Sequence, residues 1–339
     1  MRMGFHPLII SIMKKDFDFA EYFKNNKVIL APMAGVTTFA YRTFMSKFGT
    51  AIEVSEMISD CGLIYGNKET ESLIYSDNNE HFLSIQLFGG DVNQLVEGIK
   101  ILETKNINYK VLDINLGCPV PKVTRNNGGS SWLKELDKLE KMMKEVVKTS
   151  SKPVSAKIRL GWDDSSINVY ETAKILENCG VSFITIHCRT TKQGYTGKAR
   201  YEEISKIKEV VNIPVIVSGD IFTYEDALKA LKITHCDGVA VARGAIGNPL
   251  LIKEINDALS GKEVRSARNF EEQKEFLIEY MDALIAEKGE ELAIRYLRGI
   301  SSKFFSGFEN SRSIRSQLSA KTFCRQDVID ILNANDYKI

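Results

Sequence analysis

The sequence places a thiol in a tight turn: Gly117-Cys118-Pro119 follows directly on the apolar run Val111–Leu116, and Asn115 stands three residues before the cysteine. An unperturbed thiol has a pKa of about 8.5, so it is mostly protonated near neutrality and can act as a general acid. A cysteine kept only for packing belongs in an apolar setting, which suits Cys179 and Cys236 better than Cys118. Other apolar runs end in comparable ways. One leads into Pro32-Met33-Ala34-Gly35, one carries Gln86 and one carries Lys157 and Arg159, while others lead into His187 and Arg189, Ser218-Gly219-Asp220, and Ala242-Arg243-Gly244. Gln86 offers both a donor and an acceptor, and a lysine cation stabilises negative charge on a neighbouring ring. Glycine-bearing turns let backbone N–H groups approach a phosphate closely, which implies a phosphorylated cofactor. Singly these residues also read as a surface lysine, a satisfied loop amide and ordinary turns; it is their recurrence at run ends that matters.

Those run ends need a scaffold. Eight short β-branched or apolar runs recur at roughly 25 to 40 residues, as repeated strand-helix units of a parallel sheet do. They are Val28–Ala31, Ala51–Val54, Phe82–Leu87, Val111–Leu116, Val154–Ile158, Phe183–Ile186, Pro214–Val217 and Gly238–Ala242. Between them the pattern is helical, as in Lys134 to Val147, where Leu136, Leu139, Met142, Met143, Val146 and Val147 form one stripe. Asp91 with Gln94, and Thr223 with Asp226, have the spacing of helix starts. Eight units predict a closed (β/α)8 TIM barrel of the α/β class, whose active site is built at the C-terminal ends of the strands. An open doubly wound sheet is the competitor, but no G-x-G-x-x-G follows the first run.

After Pro249 the strand pattern stops. The expected organisation is an N-terminal extension (1–27), a barrel (28–249) and a smaller C-terminal α-helical domain (250–339). In that last part Leu292 to Arg325 holds Arg295, Arg298, Lys303, Arg312, Arg315, Lys321 and Arg325 against one acid, Glu309, although the whole chain of 339 residues carries a net charge of only +1. Such a stretch is either a solvated helix face or a surface for nucleic-acid phosphates. The six cysteines show no C-x-x-C pair and no clustered histidines, so no metal site and no disulfide framework is expected, and reduced thiols in a cytoplasm fit better. The run Leu8 to Met13 is too short for a secretory h-region, and nothing approaches a membrane span of about 20 apolar residues.

Four blocks in order resemble one known family, the tRNA-dihydrouridine synthases, and most nearly its bacterial B-type branch. They are Ala31-Pro32-Met33-Ala34-Gly35-Val36-Thr37, Asp113-Ile114-Asn115-Leu116-Gly117-Cys118-Pro119 with Lys122-Val123, His187-Cys188-Arg189-Thr190 leading into Gln193-Gly194-Tyr195-Thr196-Gly197, and Arg243-Gly244-Ala245 with Gly247-Asn248-Pro249. The resemblance runs from about Val28 to Leu332. It implies a tightly but non-covalently bound FMN. Pro32, Met33 and Ala34 would contact the flavin ring, with Gln86 and Lys157 at its polar edge and His187 nearby. Ser218, Gly219, Asp220, Ala242 and Arg243 would hold the ribityl phosphate. Asn115 and Arg189 would lie beside the substrate uracil, and Cys118 would be the general acid. Ser218, Ala242 and Cys188 depart from the family's common Asn, Gly and Gly.

By the same resemblance NADPH is the reductant, tRNA the partner and uridines of its D-loop the substrate; no obligate protein partner is evident. The C5=C6 bond of uracil is conjugated to the C4 carbonyl, so a hydride from FMN arriving at C6 requires a proton at C5, the expected task of Cys118. The base must leave its stack to react, and the basic helical domain is the expected grip on the RNA. Two alternatives remain at this point: an FMN barrel acting on a small molecule, as a dihydroorotate or dihydropyrimidine dehydrogenase does, and an RNA-binding barrel without catalysis.

Overall fold

The computed structural model describes residues 17–77, 80–265, 268–309 and 311–334; the run Leu8–Met13 lies outside them. Eight strands, β1 (Val28–Leu30), β2 (Ile52–Ser59), β3 (Leu83–Phe88), β4 (Val111–Leu116), β5 (Val154–Arg159), β6 (Phe183–His187), β7 (Val215–Ser218) and β8 (Gly238–Val241), pair in chain order and close by pairing β8 with β1. Every pairing is parallel. The fold is therefore the expected (β/α)8 barrel followed by helices. Near-continuous apolar strands suit this closure, because each is covered by helices outside and by packed side chains within.

Strand ends match the sequence pattern closely except in β2, expected to stop at Val54 and extending to Ser59. The polar pair Ser55-Glu56 interrupts the apolar run there. The strand absorbs it by a register irregularity between Val54 and Met57, with the Ser55 hydroxyl accepting from Gln86 N at 3.0 Å. Both expected helix starts are realised: Asp91 accepts from Gln94 N, and Thr223 with Asp226 forms a reciprocal capping box. The stripe between β4 and β5 forms the helix Leu136–Thr149, burying Leu139, Met142, Met143 and Val146.

The N-terminal helix Phe19–Asn25 packs against the first residues of the barrel strands. Phe19 and Phe23 meet Phe183, with ring centroids 4.9 and 5.3 Å apart, and Phe17 meets Phe82 at 5.7 Å. This aromatic plug fills the end of the barrel opposite the functional strand ends.

Helix Leu250–Leu259, which the sequence pattern assigned to the C-terminal domain, packs on helix Tyr224–Thr234 and on β1, in the position of the eighth outer helix. The helical unit then docks through Phe270–Lys288 on helix Phe39–Ser46, with Tyr280 edge-on to Tyr41 at 5.4 Å. Arg268 ties it to the loop after β8, donating to Gly247 O at 2.8 Å and Phe304 O at 2.6 Å. Gly247 has φ +71°, and a Cβ there would stand 2.3 Å from the Lys303 carbonyl carbon, so only glycine fits this seam.

Candidate active site

Parallel register sets the functional strand ends level with one another. Gln86 pairs with Asp113, Asn115 with Lys157, Arg159 with His187 and His187 with Ser218. Above them lies a cavity of ≈ 440 Å³, lined among others by Pro32, Met33, Ala34, Gln86, Asn115, Cys118, Lys157, His187, Ser218, Gly219, Asp220, Ala242 and Arg243. Every expected site residue is among its walls except Arg189.

The floor is a hydrogen-bonded chain. Asp113 accepts from Ser155 Oγ and from Gln86 Nε2, both at 2.6 Å. Gln86 Oε1 accepts from Asn115 Nδ2 at 2.7 Å, and Asn115 Oδ1 accepts from the backbone amides of Gly117 at 3.1 Å and Cys118 at 2.9 Å. The chain fixes which way each amide points, since Gln86 must present its carbonyl to Asn115 and its NH₂ to the carboxylate. From the other side the Cys118 carbonyl accepts from Ser130 N at 3.1 Å and Ser130 Oγ at 2.9 Å. Burial pushes the Cys118 thiol above its ordinary value, outweighing the Val120 amide and the cations Arg159 and Lys157, which pull it down. The thiol therefore stays protonated through the neutral range.

Lys157 reaches the cavity with its charge weakened. Burial, then Arg159, pulls its pKa down to about 8, against the attraction of Asp113. His187 is driven well below its ordinary value by burial and by the cations Lys157, Arg159, Arg189 and Arg243, so it is neutral. Its Nε2 faces Arg189 Nη1 at 3.3 Å. A guanidinium only donates, so Nε2 accepts and Nδ1 carries the proton.

The loops after β7 and β8 form a cradle. Gly219 has φ +123°, and a Cβ there would lie 3.2 Å from His187 Cδ2 and 2.9 Å from Ala199 Cβ. Gly244 passes so near the β7 loop that a Cβ would stand 2.1 Å from Ile221 O. Below the loops, Ser218 Oγ at the end of β7 donates to Ala240 O of β8 at 3.1 Å. Asp220, at φ 49°, accepts from Arg189 at 2.6 Å and Ala199 N at 2.8 Å and lies 3.4 Å from Arg243. Partial burial would raise its carboxyl, but these donors hold it below the usual range.

Arg189, expected beside the substrate ring, is not among the residues lining the cavity but stands directly behind His187. It is 1% exposed, and its guanidinium turns to the loop that follows, donating to Thr196 O at 3.2 Å and Gly197 O at 2.6 Å besides Asp220. Three acceptors in one place satisfy the guanidinium fork better than an open cavity would. Its neighbour in the mouth is Arg159, named from the sequence as a strand-end cation but given no role. Arg159 lines the cavity and donates to Gly117 O at 2.7 Å and Gly194 O at 2.8 Å. Strand parity was the available signal: Arg159 is two residues from Lys157 and so shares its face. Exposed aromatic residues rim the mouth, with Arg243 lying 4.9 Å from the Tyr195 ring and 5.5 Å from Phe222.

The basic stretch divides. Arg325 is paired with Asp282 at 2.7 Å, and Arg298 donates to Thr322 O at 2.7 Å. Arg312 and Arg315 are exposed and line a shallow groove with Ser302, Ser316 and Ser319. Arg295, Lys303 and Lys321 are exposed as well. Among the described residues no group of three or more His, Cys, Asp or Glu could hold a metal ion.

A buried thiol, a weakened ammonium and glycine-bearing loops thus converge at the C-terminal mouth of a (β/α)8 barrel, the usual place of an active site in this fold. The dihydrouridine synthase (Dus) family pattern matches residues 29–336. The chain belongs to the dihydrouridine synthase family, and it is an enzyme acting on a CH–CH group, since dihydrouridine is uridine saturated at C5=C6. A "probable tRNA-dihydrouridine synthase" of Rickettsia bellii is 34% identical over 296 residues, 87% of this chain and 90% of the relative. The "tRNA-dihydrouridine synthase B" of Pseudomonas aeruginosa is 32% identical over 294 residues, 87% and 88% of the two chains. In fold, the chain is similar to the 6-hydroxypseudooxynicotine amine oxidase of Pseudomonas geniculata, with TM-score 0.52 and 12% identity over 70% of this chain and 47% of that one. It is likewise similar to the histamine dehydrogenase of a Rhizobium species, with TM-score 0.51 and 12% identity over 76% and 49%.

Proposed function

We propose that this chain reduces uridines of the tRNA D-loop to 5,6-dihydrouridine, with FMN as bound cofactor, NADPH as reductant and Cys118 as proton donor. The observation that carries the reading is the convergence of Cys118, Asn115 and Lys157 with the glycine cradle on one cavity.

Both ends of the cavity support the FMN reading. Gly219 and Gly244, free of side chains where they line the cavity, leave backbone beside Arg243, which suits a phosphate with Arg243 as its cation. Pro32, Met33 and Ala34 would make an apolar wall for the ring, and Gln86, Lys157 and neutral His187 would meet its polar edge. When bound, FMN supplies the hydride that uracil C6 receives. Lys157 offsets negative charge on the ring. Asn115 orients the Cys118 turn, and the raised thiol delivers its proton to C5 as the substrate's enolate character develops. Arg189 acts behind the cavity wall, fixing the loop that carries Tyr195.

A substrate inside a folded RNA needs a second grip, and the exposed Arg312 and Arg315 groove supports RNA over a small molecule. This reading locates the protein in the cytoplasm with tRNA; no helix among the described residues is long and apolar enough to cross a membrane. The test compares dihydrouridine at each tRNA position in cells with and without the protein, and quantifies FMN released from purified protein. Loss of dihydrouridine at defined positions is expected; an unchanged modification map would refute the reading.

A further inference from the structure

The loop after β1 forms one wall of the cavity through Pro32, Met33, Ala34 and Val36. Its turn is held from within by Thr37, whose hydroxyl accepts from Met33 N at 3.0 Å, and from outside by Glu56, whose carboxylate accepts from Gly35 N. Glu56 sits in the register irregularity of β2, between Val54 and Met57. An irregularity of this kind re-aims side chains. Met57 faces the cavity, whereas Glu56 lines no part of it and is 6% exposed behind the wall.

Groups from two other elements share this buried seam. Lys288, in the last turn of helix Phe270–Lys288, pairs with Glu287 at 2.8 Å, their side chains 9% and 6% exposed. Glu287 also accepts from Ala40 N at 2.7 Å, in the first turn of helix Phe39–Ser46. Arg42 of that helix donates to Thr37 O at 2.9 Å and to Glu80 at 2.6 Å. Burial raises the Glu56 carboxyl above its ordinary value, against the Gly35 amide and then the cations Lys288 and Arg42, which pull it down, while Glu287 adds to the rise. A buried carboxylate without a cation is costly, and Arg42 is already committed to Glu80. Lys288 is committed in the same way to Glu287, and the helical unit reaches this seam by geometry through the Glu287 carboxylate on Ala40 N, three residues past the loop.

We propose that Glu56 is a positioning residue for the cofactor-facing loop Pro32–Thr37, and that Lys288 makes the docking of the helical unit a condition of that loop's shape. The inference rests on the reading that the cavity seats FMN. Neither residue lines the cavity: Glu56 acts through Gly35, and Lys288 through the buried seam it shares with Glu287 and Ala40. The unit that carries the Arg312 and Arg315 groove is thereby coupled to the wall against which the ring lies.

The experiment follows release of FMN from the loaded protein on dilution, by recovery of flavin fluorescence, in wild type, Glu56→Ala, Glu56→Gln, Lys288→Met and the double variant Glu56→Ala/Lys288→Met. Loss of the carboxylate acceptor in Glu56→Ala should speed release roughly tenfold. Glu56→Gln keeps an acceptor for Gly35 N and should recover most of that loss. Lys288→Met should speed release severalfold, and the double variant should release no faster than Glu56→Ala alone, because both act on the same loop. Wild-type release from folded Glu56→Ala, or additive effects of the two substitutions, overturns the proposal. Should Glu56→Ala not fold, wild-type release from folded Lys288→Met overturns it equally. Absence of FMN from the wild-type protein would instead sink the cofactor reading and is told apart at the first step.

Discussion

Asn115 holds Cys118 by its backbone and Gln86 by its side chain at once: Oδ1 accepts from Cys118 N at 2.9 Å while Nδ2 donates to Gln86 Oε1 at 2.7 Å. The thiol turn is thus tied to the strand floor through one amide. Asn115→Leu, close in volume, removes both bonds and leaves the Gln86 carbonyl and the Cys118 amide without these partners. Each buried group so orphaned costs about 1–3 kcal/mol. Thermal unfolding should show that loss, and tRNA-dependent oxidation of the reduced flavin should slow even though the thiol remains. A variant of normal stability and normal oxidation rate would show that the Asn115 chain does not orient the acid.

Lys157 gives two pH effects of opposite sign. Its ligand-free pKa lies near 8 against an ordinary 10.5. FMN affinity should be full below about pH 8 and fall above it as the ammonium is lost, by at most about tenfold per pH unit. Bound FMN favours the charged form, so binding above pH 8 takes up a proton, which calorimetry in buffers of different ionisation enthalpy measures. For the ligand-free fold the sign reverses. Between about pH 8 and 10.5 the unfolded chain binds the lysine proton and the folded one does not, so Lys157 contributes a rise in stability with pH over that window. Lys157→Met should abolish both dependences; a variant that retains the affinity loss above pH 8 assigns that loss to another group.

What was legible in the sequence followed from two periodicities and from turn chemistry. β4 matched residue for residue because Val111–Leu116 is buried along its whole length and bounded by the Gly-Cys-Pro turn. The cradle was legible because close backbone approach demands glycine at Gly219 and Gly244. The extension of β2 was hidden because Ser55 and Glu56 look like a strand end, and only the neighbouring strand and loop show their partners. The direction of Arg189 was hidden because a residue just past a strand takes its direction from the loop that follows, where three acceptors meet its guanidinium. The aromatic plug escaped notice because Phe19 and Phe23 find their partner, Phe183, only once the barrel closes.

The helical surface is now divisible. Arg312→Ala/Arg315→Ala should weaken tRNA binding and lower the slope of log affinity against log salt by about 0.7–0.9 for each phosphate contact removed. Arg325→Ala should leave the slope unchanged, because that guanidinium is engaged with Asp282. Reduction of the flavin by NADPH should be unaffected in both. Equal slopes in wild type and the double variant, measured by filter binding across salt, would return the groove to an ordinary solvated face.

The sharpest test concerns one atom. If the Cys118 thiol protonates C5, Cys118→Ala should still retain FMN, accept electrons from NADPH and bind tRNA, because none of those steps needs the sulfur. The turn itself should survive, since it is fixed by the Cys118 amide to Asn115 and by its carbonyl to Ser130. Oxidation of reduced flavin by tRNA should slow by about 10²- to 10⁴-fold, the range for losing a general acid. In the wild type that rate should be flat through neutrality and fall only as pH rises through the raised thiol value, because the protonated form is the active one. Cys179→Ala is the control: its thiol donates to Glu140 O at 3.6 Å, far from the cavity, and its loss should affect stability alone. Rapid mixing of reduced protein with tRNA reads the rate directly. Wild-type decay in Cys118→Ala, with dihydrouridine formed, would eliminate the thiol as donor and leave water or another group in that role.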